Sequence, residues 1–399
     1  MKSILRIAIC LLIISIHLSA QGTWTQNGNF PGNVRTDGTA FTIGSKIYFG
    51  LGYYYSGNTV FNDWWEYTPA TDTWIQKNNF PGAARGQAIS FTIGNKGYVG
   101  LGGFPGTANY NDFYEYDPTT DQWTKKDSIL GNVFVNYCSG FSIGTKGYVF
   151  GGASGAGNYS RALHQYDSVA DTWTQKLSYT DTSRMRASSF VLGNYAYVGL
   201  GTNNNQGQQY SDFYRYSATT GAWTSVAPMP SGGRYGAWAC SLSGYAYCGG
   251  GYVSSYANDY YRYDSTANTW THLTVTAPEL YATATATYNG KCYFFCGGNH
   301  IGNLNTVWVY DPAFATEVNE LTKESSIHVF PNPVSDKLSI ELSGQPAATI
   351  SIFSLLGEKI LEQPFASNID VSSLPCGIYI LKTSNKEGQP LSYTRFVKQ

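Results

Sequence analysis

Arg85 to Trp123 reads RGQAISFTIGNKGYVGLGGFPGTANYNDFYEYDPTTDQW, and the fold follows from how this stretch is parsed. It holds four runs rich in β-branched and aromatic residues: Ala88–Ile93, Gly97–Gly102, Asp112–Tyr116 and Gln122–Lys125. Such runs, separated by turn residues, predict short strands. Gly94-Asn95 joins the first two, and Gly-Ser, Gly-Thr, Ser-Gly or Asn-Gly stands at the same place elsewhere in the chain. These pairs supply the positive φ that a two-residue hairpin needs. DPTTDQ, and its counterparts TPATDT, DSVADT, SATTGA and DSTANT, make tight turns between the third and fourth runs. The unit is a four-stranded antiparallel meander.

The unit is rewritten along the chain. Its closing tryptophans are Trp24, Trp74, Trp123, Trp173, Trp223 and Trp270, spaced by 50, 49, 50, 50 and 47 residues. Tyr67, Tyr116, Tyr166, Tyr216, Tyr263 and Tyr310 keep the same period. A four-stranded unit repeated about every 50 residues predicts a β-propeller. The sixth aromatic run ends at Tyr310-Asp311-Pro312 with no Trp-bearing strand after it, whereas Gly22–Gln26 (GTWTQ) is a fourth strand with no blade before it. If that strand completes the last blade, the ring closes with six blades and few open edges.

The glycine pairs after the second run (Gly102-Gly103, Gly151-Gly152, Gly249-Gly250, Gly297-Gly298), the spaced Tyr and Trp, and Pro-x-x-x-Arg at 31–35, 81–85 and 230–234 resemble the kelch repeat. The resemblance covers Thr23 to Pro312 and implies a fold more than a function, because kelch propellers include oxidases, epimerases and binding modules.

Residues 1–20 carry Lys2 and Arg6, an apolar core over Ile7–Ile16 and Leu-Ser-Ala at 18–20, which predicts a cleaved signal peptide. No later run is long enough to span a membrane. A net charge of −1 argues against a nucleic-acid surface. Of the six cysteines after Gln21, Cys240 and Cys248 flank one hairpin and are placed to approach, as is Cys292 with Cys296 or with a neighbouring blade. The alternative is that they are small buried apolar residues. No Cys/His spacing of the zinc type occurs, and no metal or cofactor is expected.

Strand alternation puts the long loops (53–60, 104–110, 153–159, 202–210, 252–257 and 299–305) on one face with the connections between blades. Binding groups concentrate on such loops. Arg35, Arg85, Arg184 and Arg234 each stand six residues before the position of Phe41, with Val135 there in blade 3 and Tyr281 assigned in blade 6. The start of the innermost strand predicts that these side chains, with Arg186, encircle the channel mouth. A guanidinium ring suits a carboxylate, a sulfate or an anionic peptide. The competing reading is that this Arg, common in kelch repeats, bonds loop carbonyls between blades. The loops add Tyr53, Tyr54, Tyr55, Phe104, Tyr159, Tyr252, Tyr256, Asn203–Asn205, Gln206, Gln208 and Asn299, a set suited to holding a sugar. Asn62-Asp63, Asn111-Asp112, Ser211-Asp212 and Asn258-Asp259 recur, and recurrence in nearly every blade marks a backbone-capping device. His164, His272, His300 and His328 do not assemble the set that kelch-type copper oxidases use, and no catalytic residue is named.

After Pro312 the repeat stops. Residues 313–326 read as a linker, and 327–399 as a small β-sandwich with alternation such as Lys337-Leu338-Ser339-Ile340. Pro331-Asn332-Pro333-Val334, the Leu356-Gly357 turn, Leu374-Pro375-x-Gly377-x-Tyr379 and the end Arg395-Phe396-Val397-Lys398 resemble the type A C-terminal sorting domain of the type IX secretion system. The resemblance implies passage through the periplasm and across the outer membrane of a Gram-negative cell, with the secretion machinery as partner of residues 327–399. The expectation is an all-β chain: signal peptide 1–20, six-bladed kelch propeller 21–312, linker, and Ig-like sandwich. Its role is a secreted or surface binding module for a glycan or protein ligand. The alternatives are a carbohydrate-modifying enzyme of the kelch sialic-acid epimerase type and a structural surface-layer protein.

Overall fold

The computed structural model describes residues 22–106, 108–129, 136–154, 158–179, 182–203, 207–312, 326–343, 347–354, 359–386 and 390–399. The expected signal peptide, Val135, the Leu356-Gly357 turn, Asn204–Gln206 and all but the last residue of the expected linker lie outside that set. The chain divides into two compact units, Met1–Phe314 and Ala315–Gln399.

Blade 2 shows how the repeat folds. Its strands, from the axis outward, are Ile89–Ile93, Lys96–Gly100, Phe113–Asp117 and Gln122–Lys126, all antiparallel. Ile89, Phe91 and Ile93 alternate inward from the first strand, as period-2 patterning requires. Six such four-stranded sheets form the first unit among the described residues. The sixth takes Ala284–Tyr288, Lys291–Asn299 and Gly302–Asp311 from the end of the unit and Thr23–Gln26 from its beginning. The register Thr23↔Asp311, Trp24↔Tyr310, Thr25↔Val309 and Gln26↔Trp308 closes the ring. Trp24 seals the seam against Phe294 (4.9 Å), Tyr310 (5.0 Å) and, from blade 5, Trp238 (5.5 Å).

First strands of adjacent blades are stitched around the channel by side-chain hydroxyls. Ser90 Oγ donates to the Ala40 carbonyl (3.0 Å), Ser188 Oγ to Ala237 (2.9 Å) and Thr42 Oγ1 to Thr287 (2.8 Å). One step farther out, a large residue meets a small one. A Cβ on Gly97 would lie 2.0 Å from the Phe41 ring, and one on Gly147 would lie 2.1 Å from Phe91. Phe141 with Ala196, and Phe190 with Ala246, share cores in the next two interfaces. Between blades 5 and 6 the same pair of positions holds Cys240 and Cys292, joined as a disulfide with Cα atoms 6.5 Å apart. Cys240 therefore bonds across blades and not to Cys248 in its own hairpin. Cys248 and Cys296 fit the apolar reading: both are buried, and burial pushes their thiols up to about 12.

Turns between third and fourth strands tie the outer edge. Asp72, Asp121, Asp171 and Asn268 take positive φ there. Each accepts a hydrogen bond from the third-strand Tyr hydroxyl of its own blade, at 2.6 to 2.8 Å. Each also accepts one from a backbone N–H of the preceding connection: Gly28, Asn78, Asp127 and Ala227.

The second unit has a three-stranded sheet (Ser326–Phe330, Lys337–Ser343, Asn368–Asp370) and a four-stranded one (Thr349–Ser354, Lys359–Pro364, Gly377–Ser384, Pro390–Lys398). Leu338, Ile340, Ile350, Ile352, Leu381 and Phe396 fill its core. Its sequence motifs have physical roles. Asn332 Oδ1 accepts from the Val397 N–H (2.8 Å) while its Nδ2 donates to the Arg395 carbonyl (3.2 Å), pinning the basic last strand. The Tyr379 hydroxyl donates to the Pro375 carbonyl (2.8 Å), which fixes the Leu-Pro-x-Gly-x-Tyr step.

Because the disulfide replaces a Phe/small contact beside the closing blade, Cys240→Ser/Cys292→Ser is expected to lose about 2–4 kcal/mol. Urea unfolding of the variant, and of the wild type with reductant, should give the same lowered midpoint.

Candidate functional site

The four repeated arginines do not encircle an open mouth. Arg35, Arg85, Arg184 and Arg234 are at most 1% exposed. Each guanidinium holds the carboxylate before the third strand of its own blade by two hydrogen bonds: Asp63 (2.5 and 2.9 Å), Asp112 (2.5 and 3.0 Å), Asp212 (2.6 and 2.8 Å) and Asp259 (2.7 and 2.9 Å). Nη1 also donates to the carbonyl just past the second strand, at Leu51, Leu101, Leu200 and Gly250. Those leucines have φ near +60°, a conformation disfavoured for an L side chain, and the arginine bond holds it. Aromatic rings cover three of the four clamps, as Phe80 and Tyr110 do Arg85 (4.8 and 4.4 Å). The expected ring is thus corrected to a set of clamps. The recurring aspartates are structural as expected, and the partner they share is arginine.

Tyr281 is displaced by one residue from its assignment. The Arg85 carbonyl accepts from Gly52 N–H, and the equivalent Gly251 N–H bonds Leu280. Leu280, 1% exposed, therefore takes the arginine position in blade 6.

The mouth itself is built two residues after that position, by Asp37, Gln87, Tyr137, Arg186, Gly236 and Ala282. All six have φ between +49° and +63°. Their backbones hand hydrogen bonds around the axis: Asp37 N–H to Ala282, Gln87 to Asp37, Arg186 to Tyr137, Gly236 to Arg186, and Ala282 to Gly236, at 2.8 to 3.3 Å. A cavity of about 160 Å³ opens on this ring, lined by Asp37, Gln87, Tyr137, Cys138, Arg186 and their neighbours. Of the expected arginines, Arg186 alone reaches it.

Arg186 crosses the axis to Asp37 (Nη1–Oδ1 2.9 Å, Nη2–Oδ2 3.4 Å), with the two side chains 11% and 8% exposed. Its guanidinium lies over Tyr137 (4.1 Å) and Tyr281 (5.1 Å). Burial opposes its charge, but Asp37 and the two phenols outweigh that and raise its pKa. Burial likewise raises the phenol pKa values of Tyr137 and Tyr281. Gln87 is 5% exposed, and neither its amide nitrogen nor its amide oxygen has a hydrogen-bond partner among the described residues.

Around the rim, Tyr235, Tyr252, Tyr256 and Tyr281 form a closed circuit of ring contacts with centroids 5.5 to 5.8 Å apart. Tyr53, Tyr55 and Phe104 make a second cluster, and the Asn303 amide donates to the Tyr53 carbonyl. The histidines are scattered. His164 has its pKa lowered by burial in blade 3, His272 stacks on Tyr261 (4.8 Å), and exposed His300 meets Glu279 (2.5 Å). No group of three metal-ligating side chains occurs among the described residues, and no described helix is long and apolar enough to cross a membrane.

Residues 328–398 match the family model of the secretion system C-terminal sorting domain. The C-terminal unit carries the type IX sorting domain. It indicates secretion or attachment at the cell surface. Comparison with curated protein sequences gave no match. Among solved structures, "Structure of YjhT" aligns with a TM-score of 0.59 and 18% identity, covering 71% of this chain and 99% of that one. At that identity the likeness shows the propeller fold alone. In all, 784 solved chains match, and a fold used so widely does not fix a function.

The clamps make two predictions. Arg85→Gln leaves Asp112 without its buried partner and should cost about 3–5 kcal/mol in chemical denaturation. For Asp259, burial acts to raise the carboxyl pKa, but the hydrogen bonds and charge of Arg234 prevail and lower it. A lowered folded pKa contributes stability above the unfolded value, about 3.9, that is lost as pH falls through the folded one. Thermal unfolding from pH 7 to 2.5 should show this loss below about pH 4, with a flatter acid limb in Asp259→Asn.

Proposed function

We propose that the exported propeller is a binding module that takes a single sugar ring, free or at the end of a glycan, in the axial mouth of its loop-rich face. The observation that carries this reading is the buried Gln87 amide, without a hydrogen-bond partner among the described residues, beside the Arg186–Asp37 pair. Leaving a buried polar group unsatisfied costs about 1–3 kcal/mol. A sugar hydroxyl donates and accepts at once, so it suits an amide that offers both, and the pair offers donors on Arg186 and acceptors on Asp37. The cavity of about 160 Å³ is of the size that admits a six-membered ring, since an engineered apolar cavity of about 150 Å³ binds benzene. The tyrosines provide aromatic faces for the apolar side of that ring.

A second reading, carbohydrate modification of the sugar-acid epimerase type, is favoured by one feature: Asp37 is a carboxylate within hydrogen-bond distance of Arg186. Arg186 would hold the sugar carboxylate, with Asp37 beside it as the acid/base group that proton transfer requires.

A thermal-shift screen of the full chain against neutral hexoses, sialic and uronic acids and sulfated sugars tests both readings. A sugar at a hundredfold excess over its Kd should stabilise by about 2.7 kcal/mol. Gln87→Leu should abolish that shift without lowering the midpoint of the free protein. No shift with any sugar would overturn the binding reading, and epimer interconversion followed by NMR would establish the enzymatic one.

A further inference from the structure

The face opposite the axial mouth, where the two-residue turns lie, carries a feature that breaks the repeat. In blades 1, 2, 3 and 6 the second strand begins with a lysine paired to an acid of its own blade: Lys46–Glu66 (3.2 Å), Lys96–Asp117, Lys146–Asp167 (2.5 Å) and Lys291–Asp311 (2.9 Å). Blades 4 and 5 begin that strand with Tyr195 and Tyr245. The third strand changes in step. Glu66 and Glu115 oppose Tyr48 and Tyr98, whereas Arg215 and Arg262 oppose Tyr197 and Tyr247. Relative to blades 1 and 2, a third-strand acid has become a guanidinium and the lysine an aromatic ring, while blades 3 and 6 carry Gln165 and Val309 at the acid's position.

Both arginines lie over their tyrosines, Arg215 over Tyr195 at 4.5 Å and Arg262 over Tyr245 at 4.7 Å. Neither forms a salt bridge within 4.0 Å among the described residues; Arg262 bonds the Tyr247 hydroxyl, and its buried Nε has no hydrogen-bond partner among the described residues. Each pair lines an open groove between blades. One, of about 560 Å³, runs from Arg215 and Tyr195 to Gly244 and Ser265 of blade 5. The other, of about 510 Å³, runs from Arg262 and Tyr245 to Asn289 and Lys291 of blade 6. In the first, Arg215 is the one charged lining residue; in the second, Arg262 and Lys291 outweigh Asp311.

We propose that these paired grooves form a second binding surface for a linear acidic polysaccharide, with consecutive anionic groups seated on Arg215 and Arg262. A guanidinium presents parallel N–H donors to a carboxylate or sulfate, and the tyrosine beside it supplies a flat face for the sugar. Repetition at the spacing of one blade matches a polymer, which repeats its charge, better than a single small anion. Nucleic acid is disfavoured because its binding draws on a broad basic field, whereas the chain has a net charge of −1.

The test uses the full chain and immobilised polygalacturonate, dextran sulfate and neutral dextran. Binding to the first two but not the third is expected, with polygalacturonate against dextran sulfate deciding between carboxylate and sulfate as the anion. Arg215→Gln and Arg262→Gln should each weaken it about tenfold, the loss of one charged hydrogen-bonding group, and the double variant should not bind. The thermal midpoint should be nearly unchanged in Arg215→Gln and slightly lowered in Arg262→Gln, whose guanidinium also bonds the buried Tyr247. Tyr195→Ala/Tyr245→Ala, with both charges kept, should also weaken binding. Equal capture of neutral dextran, no capture of either polyanion, or full retention by the double arginine variant would overturn the proposal. Preferential capture of single-stranded DNA over both polysaccharides would do so as well.

Discussion

Ring closure is the constraint on which the propeller depends. Five blades can be laid down in order from contiguous chain, but the sixth exists only when Thr23–Gln26 pairs with Gly302–Asp311. An open ring would leave a sheet edge with unpaired N–H and C=O groups. Every other periodic device here serves interfaces that closure makes continuous. Hydroxyls stitch the first strands, large residues meet small ones in the next layer, turn carboxylates tie the rim, and arginine clamps fix the loop-rich end.

The period, the four-strand unit and the closing strand were legible because they are repeated or are visibly left over. The two-residue turns were legible for a local reason: Asn289-Gly290 and Ser243-Gly244 do take positive φ at both residues. The carbonyl bonds of the arginines match the competing reading in kind, but their carboxylate partners went unread although the sequence contained the clue. The blades with Arg35, Arg85, Arg184 and Arg234 are those with Asp63, Asp112, Asp212 and Asp259, while blade 3 has Val135 and Ala162 and blade 6 has Leu280 and Thr306. Acid and base appear and vanish together, as partners in one buried pair should. Tyr281 was misplaced because its neighbours lack the arginine that sets the frame elsewhere.

Asp37 and Gln87 escaped notice for the opposite reason. Their ring position holds six different residue types in six blades, so nothing in it repeats. The backbone there is uniform, all in the left-handed region, but side-chain identity is free to differ around the axis. In this molecule repetition marks scaffold, and the proposed binding groups stand where repetition fails. The axial mouth and the Tyr–Arg substitution of blades 4 and 5 are both such departures, on opposite faces, and among the described residues the Gln87 amide and Arg262 Nε have no hydrogen-bond partner.

The order of segments gives the closing strand a meaning beyond mechanics. Gly302–Asp311 is the last piece the ring needs, and the sorting domain at residues 328–398 comes after it. A chain cut short anywhere within the propeller lacks both the ability to close and the address for export. Proofreading is thereby written into chain order: only a polypeptide long enough to finish its own circle carries the label that sends it out.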